Sequence, residues 1–131
     1  MPVELSILAW GSVLLFLHIM LAAQARTKQY GVEWNIGPRD KELPPLNPLA
    51  GRLSRAQSNF LETYGIAIVA LIGVVVAGRT SAWTAAGGWI WLGARILYLP
   101  LYAFGVRKLR SILFLVSMTG LFIALWPLLA G

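Results

Sequence analysis

Cysteine is absent from this 131-residue chain. That excludes a disulfide framework, a thiolate metal site and any thiol nucleophile carried by the protein. No metal site is expected, and sulfur chemistry would have to use a sulfur brought by the substrate. Charge is also scarce: 12% of residues are charged, against about 25% in an ordinary soluble domain. No glycine-rich phosphate loop, internal repeat or low-complexity tract is present. What fills the chain instead is hydrocarbon, with 58% hydrophobic residues and a mean hydropathy of +0.71. A domain of this size cannot hide so much apolar surface from water, and intrinsic disorder is excluded for the same reason.

The few charges are bunched. Leu5 to Ala25 and Ser111 to Ala130 carry none, Ala56 to Gly78 carries only Glu62, and Ser81 to Gly105 carries only Arg95. Roughly 20 apolar residues cross a hydrocarbon core of about 30 Å. The expectation is a single all-α membrane domain over residues 1–131, a four-helix bundle with spans near 5–25, 56–78, 81–105 and 111–130. Ala23-Gln24-Ala25 looks like a signal-peptidase site, but Met1-Pro2-Val3-Glu4 has no cation and the apolar run is too long for a signal peptide. The first segment is therefore expected to stay on the protein.

Nine cations lie on one side of such a bundle: Arg26, Lys28, Arg39, Lys41, Arg52 and Arg55 in the first connection, Arg107, Lys108 and Arg110 in the third. Arg79 stands alone on the other side. The positive-inside rule puts loops 26–55 and 106–110 in the cytoplasm and both termini outside. It also explains the net charge of +6 through topology and anionic headgroups, without nucleic acid. Trp83 and Trp126 fall at interface depths, and Gly73, Ala77, Gly93 and Ala94 read as packing devices. The centre of the long connection, Gly31 to Pro48, is rich in Gly, Pro, Asn and charge, a composition that rejects helix and strand interiors. Leu49 to Ser54 reads as an extension leading into the second span.

A charge inside a bilayer costs about 2.5–3.5 kcal/mol on insertion scales, so Glu62 and Arg95 need an account. Both enter from the cytoplasmic side, and an ion pair between them would lower the cost of each. Arg52, Arg55, Asn59 and Glu62 follow helical spacings of three and four, as do Arg95, Tyr98 and Tyr102. With Arg107, Lys108 and Arg110 at the mouth of the fourth span, they describe a cation-rich polar cavity suited to a small ligand bearing carboxylates and an ammonium. Pro100 should bend the third span. His18 reads as one interhelical hydrogen bond, and Gln57 and Tyr64 as groups meeting a partner helix.

Arg55-Ala56-Gln57-Ser58-Asn59-Phe60-Leu61-Glu62-Thr63 resembles the R-A-x-x-N-x-x-E-T pattern of the MAPEG family, the membrane-associated proteins of eicosanoid and glutathione metabolism. Ala94-Arg95 with Tyr98 and Tyr102, and Arg110-Ser111, resemble that family's third- and fourth-helix motifs. The resemblance covers nearly the whole chain. It implies a homotrimer with glutathione, as co-substrate, bound between subunits at the cytoplasmic side. Arg55, Asn59 and Glu62 would bind the tripeptide, Arg95 would brace Glu62, and Tyr98 and Tyr102 would complete the pocket. Arg110 would stabilise the glutathione thiolate for attack on a hydrophobic small molecule dissolved in membrane lipid. Placing Arg110 requires a one-residue gap after Tyr102, so Arg107 competes for that role. The expected protein is a transferase or peroxidase of a bacterial inner membrane. The alternatives are a small four-helix multidrug/proton exporter, whose coupling carboxylate would sit in the first span where none is found, and a non-catalytic scaffold of the same fold.

Overall fold

The structure, a computed structural model, describes residues 1–131 and contains helices but no strand. α1 covers Val3–Tyr30, α2 Val32–Ile36, α3 Pro48–Val76, α4 Ala82–Ala103 and α5 Lys108–Leu129. Four are long, and α2 is a single short turn of five residues. α1, α3 and α5 are each long and apolar enough to cross a membrane. α4 is long enough but not among them. Its 22 residues include Arg95, two tyrosines, three tryptophans and three glycines, which dilute the apolar character expected of a fourth span.

Local chemistry sets where the helices begin. The Asn47 side chain accepts the Ala50 N–H at 2.8 Å, with Pro48 in the first turn of α3 where its missing N–H costs nothing. Ser81 and Thr84 form a reciprocal capping box at the start of α4. α1 differs from expectation by continuing past Ala25 to Tyr30, whereas α3 starts at Pro48 and takes in Leu49–Ser54 as the expected extension of the second span. Residues 31–47 are left as the connection. Within it Val32–Ile36 is helical, because that five-residue run contains no Gly or Pro although the stretch around it does.

The bundle is centred on one stripe of α3. Ala56, Phe60, Thr63, Ala67, Ala70 and Val74 are all buried at spacings of three and four. Ile7 and Leu14 of α1, Trp91 and Leu99 of α4, and Leu121 of α5 pack around it. Lipid tails are as apolar as leucine, so close packing and hydrogen bonds must hold the helices together. α4 and α5 meet backbone to backbone: a Cβ placed at Gly87 would lie 2.5 Å from the Gly120 carbonyl oxygen. Trp91 reaches across to α1, where a Cβ at Gly11 would lie 2.6 Å from its ring. The Tyr64 hydroxyl donates to the Leu8 carbonyl at 3.0 Å and lies 2.6 Å from the Ser12 hydroxyl. Its partner helix is thus α1 of the same chain.

Glu4, outside the span boundary expected for the first segment, lies in the first turn of α1 and is buried. Thr84 of α4 donates its hydroxyl to the Glu4 carboxylate at 2.6 Å. α1 and α4 therefore run side by side from the same end of the bundle. The opposite end gathers the end of α1, the start of α3 and the α4–α5 turn.

Candidate functional site

At that opposite end the interior turns polar. Arg95 on α4 is wholly buried, and its Nη1 donates to the Asn59 side-chain oxygen of α3 at 2.8 Å. Its guanidinium carbon stands 4.2 Å from the Tyr98 ring centroid, 5.0 Å from that of Phe60 and 5.9 Å from that of Phe114. Three aromatic rings thus form a cage around the cation. Each contact of this kind contributes about 0.5–2 kcal/mol, more where water is excluded. Nε and Nη2 have no acceptor within the chain.

The expected Arg95–Glu62 ion pair does not form. The side chain that meets the guanidinium is Asn59, while Glu62 is exposed on the outer face of α3. The physical reason is azimuth. At about 100° per residue, Glu62 lies roughly 200° around the helix from Phe60, the centre of the buried stripe, whereas Asn59 lies on its flank. Arg55, likewise exposed, shares the outer face with Glu62.

From Arg95 the polar layer continues toward the chain turn. The Tyr98 and Tyr102 rings meet edge-on with centroids 5.5 Å apart, and the Arg110 guanidinium carbon lies 4.5 Å over Tyr102. Cation, two phenols and cation therefore follow one another down α4 and across to α5. A cavity of about 290 Å³ opens beside them, lined by Asn59, Tyr98, Arg110, Ser111, Phe114 and Leu115. A second, of about 490 Å³, lies at the surface among Arg107, Lys108, Arg110, Ser111 and Ile112. Arg110 and Ser111 line both.

The structure thus brings together Asn59, Arg95, Tyr98, Tyr102 and Arg110, with Arg107 at the outer cavity. It leaves Arg55 and Glu62 on another face. Arg52 points to the end of α4, where its Nε donates to the Ala103 carbonyl at 2.8 Å. Phe60 and Phe114 were not singled out from sequence as site residues. Their signal was available, since Phe60 follows Asn59 and Phe114 stands one turn after Arg110. His18 packs its ring 4.9 Å from Phe60 and neither ring nitrogen has a hydrogen-bond partner, so the interhelical bond expected of it is not made.

The chain that forms this donor-rich, cation-lined cavity matches a known family along nearly its whole length: the MAPEG family model covers residues 6–130. The chain belongs to the MAPEG family. No curated protein and no solved structure compared with this MAPEG chain matches it. The family includes glutathione transferases and peroxidases as well as non-catalytic members, so membership establishes the family and leaves the chemistry of this chain to the site.

Proposed function

We propose that this MAPEG protein is a glutathione-dependent membrane transferase or peroxidase in which Arg110 stabilises the glutathione thiolate. The observation that carries the reading is the cavity beside Tyr98, whose lining brings together Arg110, Ser111 and Asn59. A free thiol has a pKa near 8.5, and holding it near 7 requires about 2 kcal/mol. A guanidinium about 4 Å from the sulfur supplies about 4 kcal/mol at an effective dielectric near 20. One cation is therefore enough. The thiol proton leaves to water at the cavity mouth. The thiolate then attacks an electrophilic carbon, the sulfur–carbon bond forms, and the leaving group departs with its electron pair. With a hydroperoxide, the thiolate attacks oxygen and the O–O bond breaks, giving the alcohol. A second glutathione then converts the sulfenic product to the disulfide, releasing water. Proximity to a lipid-dissolved electrophile supplies much of the rate.

Tyr98, Tyr102 and Asn59 would orient the tripeptide, with Arg107 contributing charge at the outer cavity. Arg55 and Glu62, exposed on α3 in the single chain, join the same reading through assembly. A carboxylate on the outer face of an apolar helix is costly in lipid, and a homotrimer would cover it with a neighbouring subunit that completes the site. α4, 22 residues or about 33 Å long, would then be the fourth span. The charge asymmetry would place the α4–α5 turn in the cytoplasm and the termini outside a bacterial inner membrane.

Calorimetry with glutathione in detergent tests the reading, together with the ultraviolet absorbance of the thiolate. Binding with thiolate formation that disappears in Arg110→Ala is the expected result. No binding at millimolar glutathione would refute it and leave a non-catalytic scaffold. Family membership favours either over an exporter.

A further inference from the structure

The last turn of α4 has a complete hydrogen-bond account, and one side chain from another helix closes it. A helix ends with four carbonyls that lack intrahelical partners. Here the Pro100 carbonyl accepts from the Phe104 N–H at 3.0 Å, that of Leu101 from Val106 at 2.9 Å, and that of Tyr102 from Gly105 at 3.0 Å. Only Ala103 is left, and its carbonyl accepts from the Arg52 Nε at 2.8 Å. Arg52 also packs beside Gly105, where a Cβ would lie 3.8 Å from its side chain. Gly105 holds the left-handed conformation, φ +76°, that the reversal needs. A cation at this position also faces the negative end of the α4 dipole.

The turn so closed leads directly into α5. Arg107, at the start of α5, makes no side-chain cap of its own. Arg110 stands in the first turn of α5 with its guanidinium on Tyr102, the residue before Ala103. Arg52, from the second turn of α3, is thus bonded to the residue next to the one on which the Arg110 guanidinium rests.

We propose that Arg52 is a positioning residue: it closes the C-terminus of α4 and thereby sets the place of Arg110, instead of serving as a direct ligand of the tripeptide. The catalytic half of this proposal rests on the glutathione reading above; the structural half does not. The test uses full-length protein in detergent, with Arg52→Gln and, as a milder variant, Arg52→Lys, which keeps a donor and the charge. Without glutathione, hydrogen exchange of the amides at 104–106, which bond back to the last turn of α4, should quicken about tenfold in Arg52→Gln. It should return toward wild type in Arg52→Lys, while amides in α1 stay unchanged in both. With glutathione, kcat and the thiolate fraction should fall in Arg52→Gln while the KM for glutathione changes less than threefold. Unchanged exchange at 104–106, or a defect confined to KM, would overturn the proposal and return Arg52 to direct ligand contact. If wild-type protein neither binds glutathione nor forms thiolate, the functional reading fails on its own, and the exchange result alone decides the role of Arg52.

Discussion

The replacement of Glu62 by Asn59 as the partner of Arg95 gives a direct contrast. Arg95 is buried without a carboxylate partner, and the amide of Asn59 is its one hydrogen-bond acceptor within the chain. A hydrogen bond to a charged group contributes about 1.5–3 kcal/mol, and removing the acceptor also leaves the charge without a replacement from solvent. Asn59→Leu should therefore destabilise the protein by about 2–3 kcal/mol. A chain of this length loses roughly 3–5 °C of melting temperature per kcal/mol, which makes the expected drop about 6–15 °C. Glu62→Gln, exposed on α3 in the single chain and not paired with Arg95, should have an effect that adds to that of Arg95→Met within about 0.5 kcal/mol. The decisive arm is Arg95→Met. In the Asn59→Leu, Arg95→Met double variant no buried charge remains to be orphaned, so the two single losses should exceed the double loss by at least about 1.5 kcal/mol. Thermal unfolding in one detergent, without glutathione, measures the single and double variants. Additive losses for Asn59→Leu and Arg95→Met would show that Arg95 does not depend on Asn59, and non-additive losses for Glu62→Gln and Arg95→Met would show that it depends on Glu62 after all.

Gly87→Leu should abolish well-folded protein, because even its Cβ would meet the Gly120 oxygen at 2.5 Å and backbone cannot yield. By contrast, Gly93→Ala, with nothing near its Cβ, should gain about 0.5–1 kcal/mol; size-exclusion profiles and melting curves distinguish the two, and equal behaviour would refute the close crossing. Glu4→Gln should cost about 1–2 kcal/mol by weakening the charged acceptor of Thr84, whereas an unchanged melting temperature would mean that the carboxylate is not held there. Phe114→Leu should loosen the cage around Arg95 and lower stability by about 1–2 kcal/mol, read in the same unfolding assay; no change would remove Phe114 from the cage.

How far the sequence was legible follows from what it encodes locally. Long uncharged runs reveal helices because length and composition are properties of one segment, and Ser81 with Thr84 reveals a start because the capping box is made within four residues. The grouping of Arg95, Tyr98 and Tyr102 was readable for the same reason, since their spacing alone puts them on one stripe. The Glu62–Arg95 pair was misread because depth along a helix is written in the sequence but rotation toward a neighbour is not. Once α3 turns Phe60 inward, Glu62 must face out. The short helix at Val32–Ile36 was hidden by averaging composition over a longer stretch. The closing of α4 by Arg52 was illegible because it joins residues 51 positions apart, and no local rule specifies which of nine cations on that side will reach a given carbonyl.

The bond between Glu4 and Thr84 spans 80 positions of chain. During synthesis at roughly 5–20 residues per second, the first helix must wait about 4–16 s before its acceptor at the rim can be met. Over that interval the Glu4 carboxylate lacks its Thr84 donor, and an unpaired carboxylate is costly to carry into lipid, which favours keeping the leading segment at the water boundary. Latching happens late, when the incoming Thr84 supplies that donor. Registration of the earliest helix is thus checked by one of the later ones, and a chain halted before Ala82 should leave Glu4 open to a carboxyl-directed reagent that the finished protein excludes.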